Sequence, residues 1–235
     1  MSEPEKYISV PRLKSFPWLV HGFGLAGFTL DSLKKDGELA SFHPVVMKQL
    51  HSSRVFFLDD PPRKKLAGDG LVTTRPGLLL VIKTADCLPV LLLDEDHRAV
   101  AAVHCGWRST YQKILAVAVE LLRRQCGTRT EKLLVAFGPC IEKSCYEVGP
   151  EVREKFAAAG FEPGPIFSPS AGEGRFYLDL REANRLLLTQ ELGVKPENII
   201  QLDYCTFCRP QFYSYRRDRQ KEQRLINFIG IKNLS

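Results

Sequence analysis

A chain of 235 residues, 44% hydrophobic and 26% charged, can bury a sizeable core and is neither fibrous nor disordered in composition. The formal charge of +6 is mild, and no long basic stripe with interleaved aromatics marks a nucleic-acid groove. The apolar runs at Leu78–Ile82 and Leu88–Leu93 are far too short to cross a bilayer, and the polar stretch Met1–Lys14 lacks the core of a signal peptide, so a cytoplasmic protein is expected.

In chain order, strands are expected at Arg54–Leu58, Leu78–Ile82, Val90–Leu93 and Ala99–Val103. A helix follows from about Thr110 to Cys126. Its stripe is Ile114, Ala118, Leu121 and Leu122, and Gly127 ends it. Next come a strand at Leu133–Phe137 and a helix that opens on Pro150 and stops at Gly160. Phe176–Leu178 reads as a strand, and Asp179 caps a helix that ends at Gly193. Ile199–Leu202, Phe212–Tyr215 and Leu225–Ile229 complete the strands. The continuous apolar runs imply strands buried on both faces. Loops at Pro61–Lys65 and Pro163–Gly174 are too short for domain linkers, so residues 1–235 read as one domain of the α/β or α+β class, with sheet at the centre and helices outside.

Seven cysteines, an odd count at irregular spacing, make a poor disulfide framework and are expected to be reduced thiols. Two segments concentrate polar groups at strand ends. Thr84-Ala85-Asp86-Cys87-Leu88-Pro89-Val90 separates two apolar strands, and Ala102-Val103-His104-Cys105-Gly106-Trp107-Arg108 joins a strand to a helix. A lone cysteine in such a place usually only packs. Paired with His104, Cys87 gains the cationic or metal partner that a thiolate requires near neutral pH. His51 follows Lys48-Gln49-Leu50, and spacing alone does not place it. Two histidines and one cysteine can form a three-ligand zinc site with a fourth position open for water. Asp69 and Asp86 are candidate proton shuttles beside it, with structural capping as the alternative. Arg108, Arg216 and Arg217 are candidates for holding phosphate, because a guanidinium fork matches its oxygens; surface ion pairs are the ordinary alternative. Cys205-Thr206-Phe207-Cys208 is a CxxC, read either as packed thiols or as a redox pair or half a zinc knuckle. Cys140 and Cys145 read as structural.

The ordered motifs His21-Gly22-Phe23, Gln49-Leu50-His51, Gly68-Asp69-Gly70-Leu71-Val72-Thr73, the Cys87 and His104 segments, Gly138-Pro139-Cys140-Ile141, Tyr146-Glu147-Val148-Gly149 and Phe212-Tyr213-Ser214-Tyr215-Arg216-Arg217-Asp218 resemble the YfiH family, also called the laccase-domain or multicopper polyphenol oxidase-like family. The resemblance implies a layered αββα-type fold similar to the cytotoxic-necrotizing-factor deamidases. It also implies a His–Cys–His site that maps onto His51, Cys87 and His104 and often holds zinc, with copper the other metal to weigh. The activity it implies is phosphorolysis of adenosine, inosine and methylthioadenosine, with adenosine deamination beside it. Purine nucleosides and phosphate are then the partners. The chain departs from the family pattern at Cys105, at Gly24-Leu25-Ala26-Gly27 and at Glu222-Gln223-Arg224. Two rival chemistries are a metal-free Cys–His hydrolase with Cys87 as nucleophile and a copper polyphenol oxidase. Five histidines and no His-x-His pair count against the second. A protein that only binds a partner is the non-enzymatic rival.

Overall fold

A computed structural model describes residues 5–233. Its centre is two sheets packed face to face. The first has the strand order Tyr7–Ile8, Leu19–Gly24, Leu225–Ile231, Leu78–Thr84, His43–Val46. The second has the order Ile199–Gln201, Leu134–Phe137, Leu88–Asp94, Ala99–Cys105, Gly70–Thr73, Val55–Leu58. Both are mixed, with parallel pairs at their edges: His43–Val46 on Leu78–Thr84, Val55–Leu58 on Gly70–Thr73, and Ile199–Gln201 on Leu134–Phe137. A small third sheet joins Glu147–Val148, Phe176–Leu178 and Phe167–Pro169.

The period-2 alternation of each strand divides its side chains between layers. Leu78, Leu80 and Ile82 face Leu91, Leu93, Val100 and Ala102 in the core between the sheets. Leu79 and Val81 turn outward to Phe28, Leu33 and Phe228. Leu88, Val90, Leu92, Ala101 and Val103 turn to the opposite outside, where Ile114, Leu115, Ala118 and Leu122 of the Ile114–Cys126 helix and Leu180, Ala183 and Leu187 cover them. This is the expected helix–sheet–sheet–helix layering. The apolar runs are buried on both faces, and every residue of Leu88–Asp94 and Ala99–Cys105 is buried.

The structure corrects three expectations, the first being the loop expected at Pro163–Gly174: it opens with the helical turn Pro163–Ile166, and Phe167–Pro169 then pairs with Phe176–Leu178 as a strand. The helix expected from Thr110 to Cys126 is two helices, Trp107–Tyr111 and Ile114–Cys126. Lys113 between them is left-handed at φ 55°, an uncommon conformation for a residue with a Cβ, and its ammonium is fixed on Glu191 at 2.7 Å. Phe212–Tyr215 is not a strand. Ser214 accepts a hydrogen bond from the Arg217 N–H and starts a single turn, Tyr215–Asp218. The helices at Pro150–Ala158 and from Leu180 are as expected, Asp179 accepting from the Glu182 N–H as the cap. The second continues through Leu187–Glu191 as a π-type turn before Gly193. None of the described helices is long and apolar enough to cross a membrane.

His21 sits in the buried strand Leu19–Gly24, where its Nε2 accepts a hydrogen bond from the Val10 N–H at 2.8 Å. Burial pushes its pKa down to about 4; Lys14 adds to the lowering and Glu38 opposes it. The folded-state value lies below the unfolded value of about 6.5, so the unfolded chain takes the proton first. The His21 contribution is complete above pH 6.5 and falls as the pH drops toward 4, a loss of about 3 kcal/mol. Urea unfolding at pH 7 and pH 4.5 should show His21→Gln losing less stability on acidification than the parent. Equal losses would remove His21 as a source of acid sensitivity.

Candidate active site

The short connection Ala85-Asp86-Cys87 crosses from one central sheet to the other, between strands Leu78–Thr84 and Leu88–Asp94. Asp86 takes a positive φ of 87° there, and three contacts fix it. Its Oδ1 accepts from Thr206 Oγ1 at 2.8 Å, its Oδ2 accepts from the Arg216 N–H at 2.6 Å, and its carbonyl accepts from the Ile141 N–H at 2.9 Å. Cys87 is thereby set at the cleft floor. His104 stands near the end of strand Ala99–Cys105, opposite Pro89. Ser109 Oγ accepts from the Gly106 N–H at 2.9 Å and lies 2.9 Å from the His104 carbonyl, which closes the strand-to-helix turn. His51 lies on a loop with φ 57°. The Gln49 amide steadies that loop by exchanging two 2.8 Å hydrogen bonds with the Lys83 backbone.

Asp69, fully buried, ties the two histidines together. Its carboxylate accepts from the N–H groups of Leu50, His51 and Ser52 at 3.1, 2.9 and 2.7 Å, and from Ser52 Oγ at 2.8 Å. It also lies 2.9 Å from His104 Nδ1. Burial favours its neutral form, but hydrogen bonds from His104 and Ser52 outweigh burial and hold the carboxyl at about 2. An ionised carboxylate only accepts, so His104 Nδ1 carries the proton and Nε2 is left for Cys87 or a metal.

The imidazoles of His51 and His104 lie 4.8 Å apart, edge to face. A nitrogen from each and the Cys87 sulfur all lie within 4.8 Å of one another. Burial raises the Cys87 pKa, yet the His104 charge and hydrogen bonds from both histidines bring it down to about 6. His104 is disfavoured as a cation by burial and restored by Cys87 and Asp69, which raise it to about 9. Both directions favour the ion pair of thiolate and imidazolium over the neutral pair. The donor set also fits a metal. One thiolate and two imidazoles, with one of them oriented by a carboxylate, match zinc's preference and leave a position facing the cleft. A side chain behind this triad would crowd it: a Cβ on Gly106 would lie 3.0 Å from both Cys87 Sγ and His51 Cδ2, which would have to give by a few tenths of an ångström.

The triad opens into a cleft of about 770 Å³. Eight cations line it, Lys48, Lys65, Lys83, Arg108, Arg216, Arg219, Lys221 and Arg224, against the two acids Asp86 and Glu222. Trp107, Tyr146 and Tyr215 supply aromatic surface. The Arg108 guanidinium lies 4.2 Å from the Trp107 ring centre. Arg216 donates to the Glu147 carbonyl at 2.9 Å and lies over Tyr146 at 5.2 Å. Burial, reinforced by Cys87, raises the Tyr146 pKa despite Arg216 and keeps the phenol protonated.

The structure brings His51, Cys87, His104, Arg108 and Arg216 to one cleft and leaves Arg217 out. Its donors are committed to the carbonyls of Thr206, Phe207, Arg209 and Phe212 and to Asp218, so it braces the loop and has none left for phosphate. Asp69 anchors the site, for five hydrogen bonds occupy its buried carboxylate, and Asp86, which lines the cleft, braces the Cys87 turn through Thr206 and Arg216. Cys105 points to the opposite face of its strand from His104, into the helical layer, where burial pushes its thiol well above the ordinary range. Tyr146, Tyr215, Lys48 and Lys83 escaped sequence reasoning, because segments far apart in the chain bring them to the cleft.

A thiol held between two imidazoles at the floor of an open basic cleft is an arrangement that suits an enzyme centre. Residues 31–232 match the family described as multi-copper polyphenol oxidoreductase laccase, and the chain belongs to this laccase-like, YfiH-type family. A relative named adenosine deaminase RL5, from an unknown prokaryotic organism, is 37% identical over 183 residues, covering 74% of this chain and 69% of that protein. A purine nucleoside phosphorylase of Bacteroides thetaiotaomicron is 37% identical over 164 residues, covering 69% of this chain and 60% of that protein. The crystal structure of the Bacillus licheniformis hypothetical protein YfiH superposes with a TM-score of 0.85 at 28% identity, covering 93% of this chain and 95% of that one.

Proposed function

We propose that this chain cleaves purine nucleosides by phosphorolysis at the His51–Cys87–His104 centre. The single observation that carries the reading is the cationic cleft opening onto that triad, and relatives named for this activity support it. In the reaction a phosphate oxygen bonds to the sugar carbon while that carbon's bond to the purine nitrogen breaks. The electron pair leaves with the base, which takes up a proton. Arg108 and Arg216 hold the phosphate, and the surrounding lysines raise its local concentration. Trp107 and Tyr215 offer ring faces to the base. Tyr146, kept protonated, donates a hydrogen bond to the departing purine. Asp69 holds His51 and His104 in register so that neither must reorganise during the reaction. His51, Cys87 and His104 would hold zinc, which supplies a positive charge and Lewis acidity at the cleft floor when bound. Copper suits the same mixed nitrogen and sulfur set and is the alternative metal.

Arg216→Ala is expected to raise the KM for phosphate about tenfold or more with a smaller change in the KM for adenosine. Steady-state kinetics with each substrate varied in turn reads this. An equal rise in both constants, or none, would take Arg216 out of phosphate binding. A second reading, adenosine deamination, is favoured by the relative named for it. With Asp69 and Asp86 engaged, Glu222 is the other carboxylate lining the cleft and the residue to move a proton in that reaction.

A further inference from the structure

A second sulfur cluster lies outside the cleft. Cys145 ends the turn Lys143–Cys145, while Cys205 and Cys208 come from the turn that follows strand Ile199–Gln201. The three sulfurs lie within 4.8 Å of one another, with Cys145 and Cys208 at 3.4 Å. The surrounding backbone holds them there. Cys205 pairs with Cys140 as an isolated β-bridge, and the Arg217 guanidinium gathers the carbonyls of Thr206, Phe207 and Arg209 around the CxxC turn. The Glu142 N–H donates to Cys205 Sγ at 3.4 Å, a bond that a thiolate accepts better than a thiol does.

We propose that Cys145, Cys205 and Cys208 bind a zinc ion as a three-thiolate clip, separate from the cleft triad. Zinc–sulfur bonds of about 2.3 Å at tetrahedral angles put sulfurs roughly 3.8 Å apart, which this cluster reaches with small adjustments. An all-sulfur set selects a soft or borderline ion over magnesium or calcium. Cys205 is buried, Cys145 is partly exposed and Cys208 is exposed, so the ion enters from solvent and the fourth position faces it. Each thiol gives its proton to solvent as it binds, and no oxidant takes part. The clip ties together two loops that build the cleft. Cys145 precedes Tyr146, and Thr206, next to Cys205, holds Asp86 beside Cys87.

The test uses a Cys87→Ala background, in which the cleft has no thiolate to offer, with the protein kept reduced. Cobalt(II) is the first probe, because thiolate ligation produces a near-ultraviolet charge-transfer band. Cys87→Ala should bind one equivalent with that band, and added zinc should displace it. The band should fall at least tenfold when Cys208→Ser or Cys145→Ser is added. Zinc should also raise the melting temperature of Cys87→Ala by several degrees and leave that of the folded Cys87→Ala/Cys208→Ser protein unchanged. No band in Cys87→Ala, or one of equal strength in both double variants, overturns the proposal, as does a zinc-independent melting temperature. None of these readouts needs turnover, so they stand or fall independently of the purine reading.

Discussion

Cys87→Ala is expected to abolish adenine formation from adenosine and phosphate, by about a thousandfold or more, while the protein stays folded. Cys87 contributes no core packing that alanine cannot replace, for the cleft lies on one side of it. The loss is therefore chemical. It removes the negative partner of His104 and the one soft donor of the triad at once. The measurement is chromatography of products from adenosine, with and without phosphate, on parent and variant of matched melting temperature. Adenine only with phosphate and only with Cys87 supports the phosphorylase. Inosine without phosphate shifts the assignment to deamination. Full turnover by the variant would falsify any role for the thiol. No product from the parent removes the purine reading and leaves the metal-free Cys–His hydrolase, for which iodoacetamide inactivation without chelator sensitivity is the mark.

Asp69→Asn should be nearly as damaging, and for a reason visible only in three dimensions. The carboxylate accepts four hydrogen bonds from the Leu50–Ser52 loop and a fifth from His104, all without solvent. An amide presents two N–H groups where only acceptors are wanted, so at least one donor of the loop meets a donor. The expected cost is about 3 kcal/mol of stability, from unfolding in urea. Zinc affinity should fall 10- to 100-fold, since the carboxylate fixes the His104 tautomer and the His51 loop together. Metal titration of the folded variant separates the two effects. Unchanged affinity would make Asp69 a purely structural residue.

The central strands were legible because apolar runs such as Leu88–Leu93 are rare outside a doubly covered sheet. Leu19–Gly24 escaped because it carries His21 and two glycines, and the reason lies in its neighbours: a Cβ at Gly22 would collide with Tyr7 and Phe228. The break at Lys113 was invisible because the stripe from Ile114 onward continues in phase with the residues before it. Phe212–Tyr215 has strand-like composition, but the Ser214 cap and the Arg217 brace decide its shape. Cys87 and His104 could be paired from their places at strand ends. His51 could not be placed from spacing, because Asp69, eighteen residues away, holds its loop. Arg216 and Arg217 are adjacent and chemically identical in sequence. Only the helical turn shows that one faces the cleft and the other the loop.

The excess of cations around the cleft bears on how turnover ends. The phosphorolysis proposed above would convert a neutral nucleoside and a free anion into a sugar phosphate and a free base, so the phosphorylated product would keep the charge that draws phosphate in. On that reading, the same eight cations that gather the co-substrate would also delay the departure of the phosphorylated sugar. Ionic strength would then act in two directions, weakening capture of phosphate and shortening the stay of the product. The salt concentration that best balances arrival against escape would then be set by the lining of the cleft rather than by the triad at its floor.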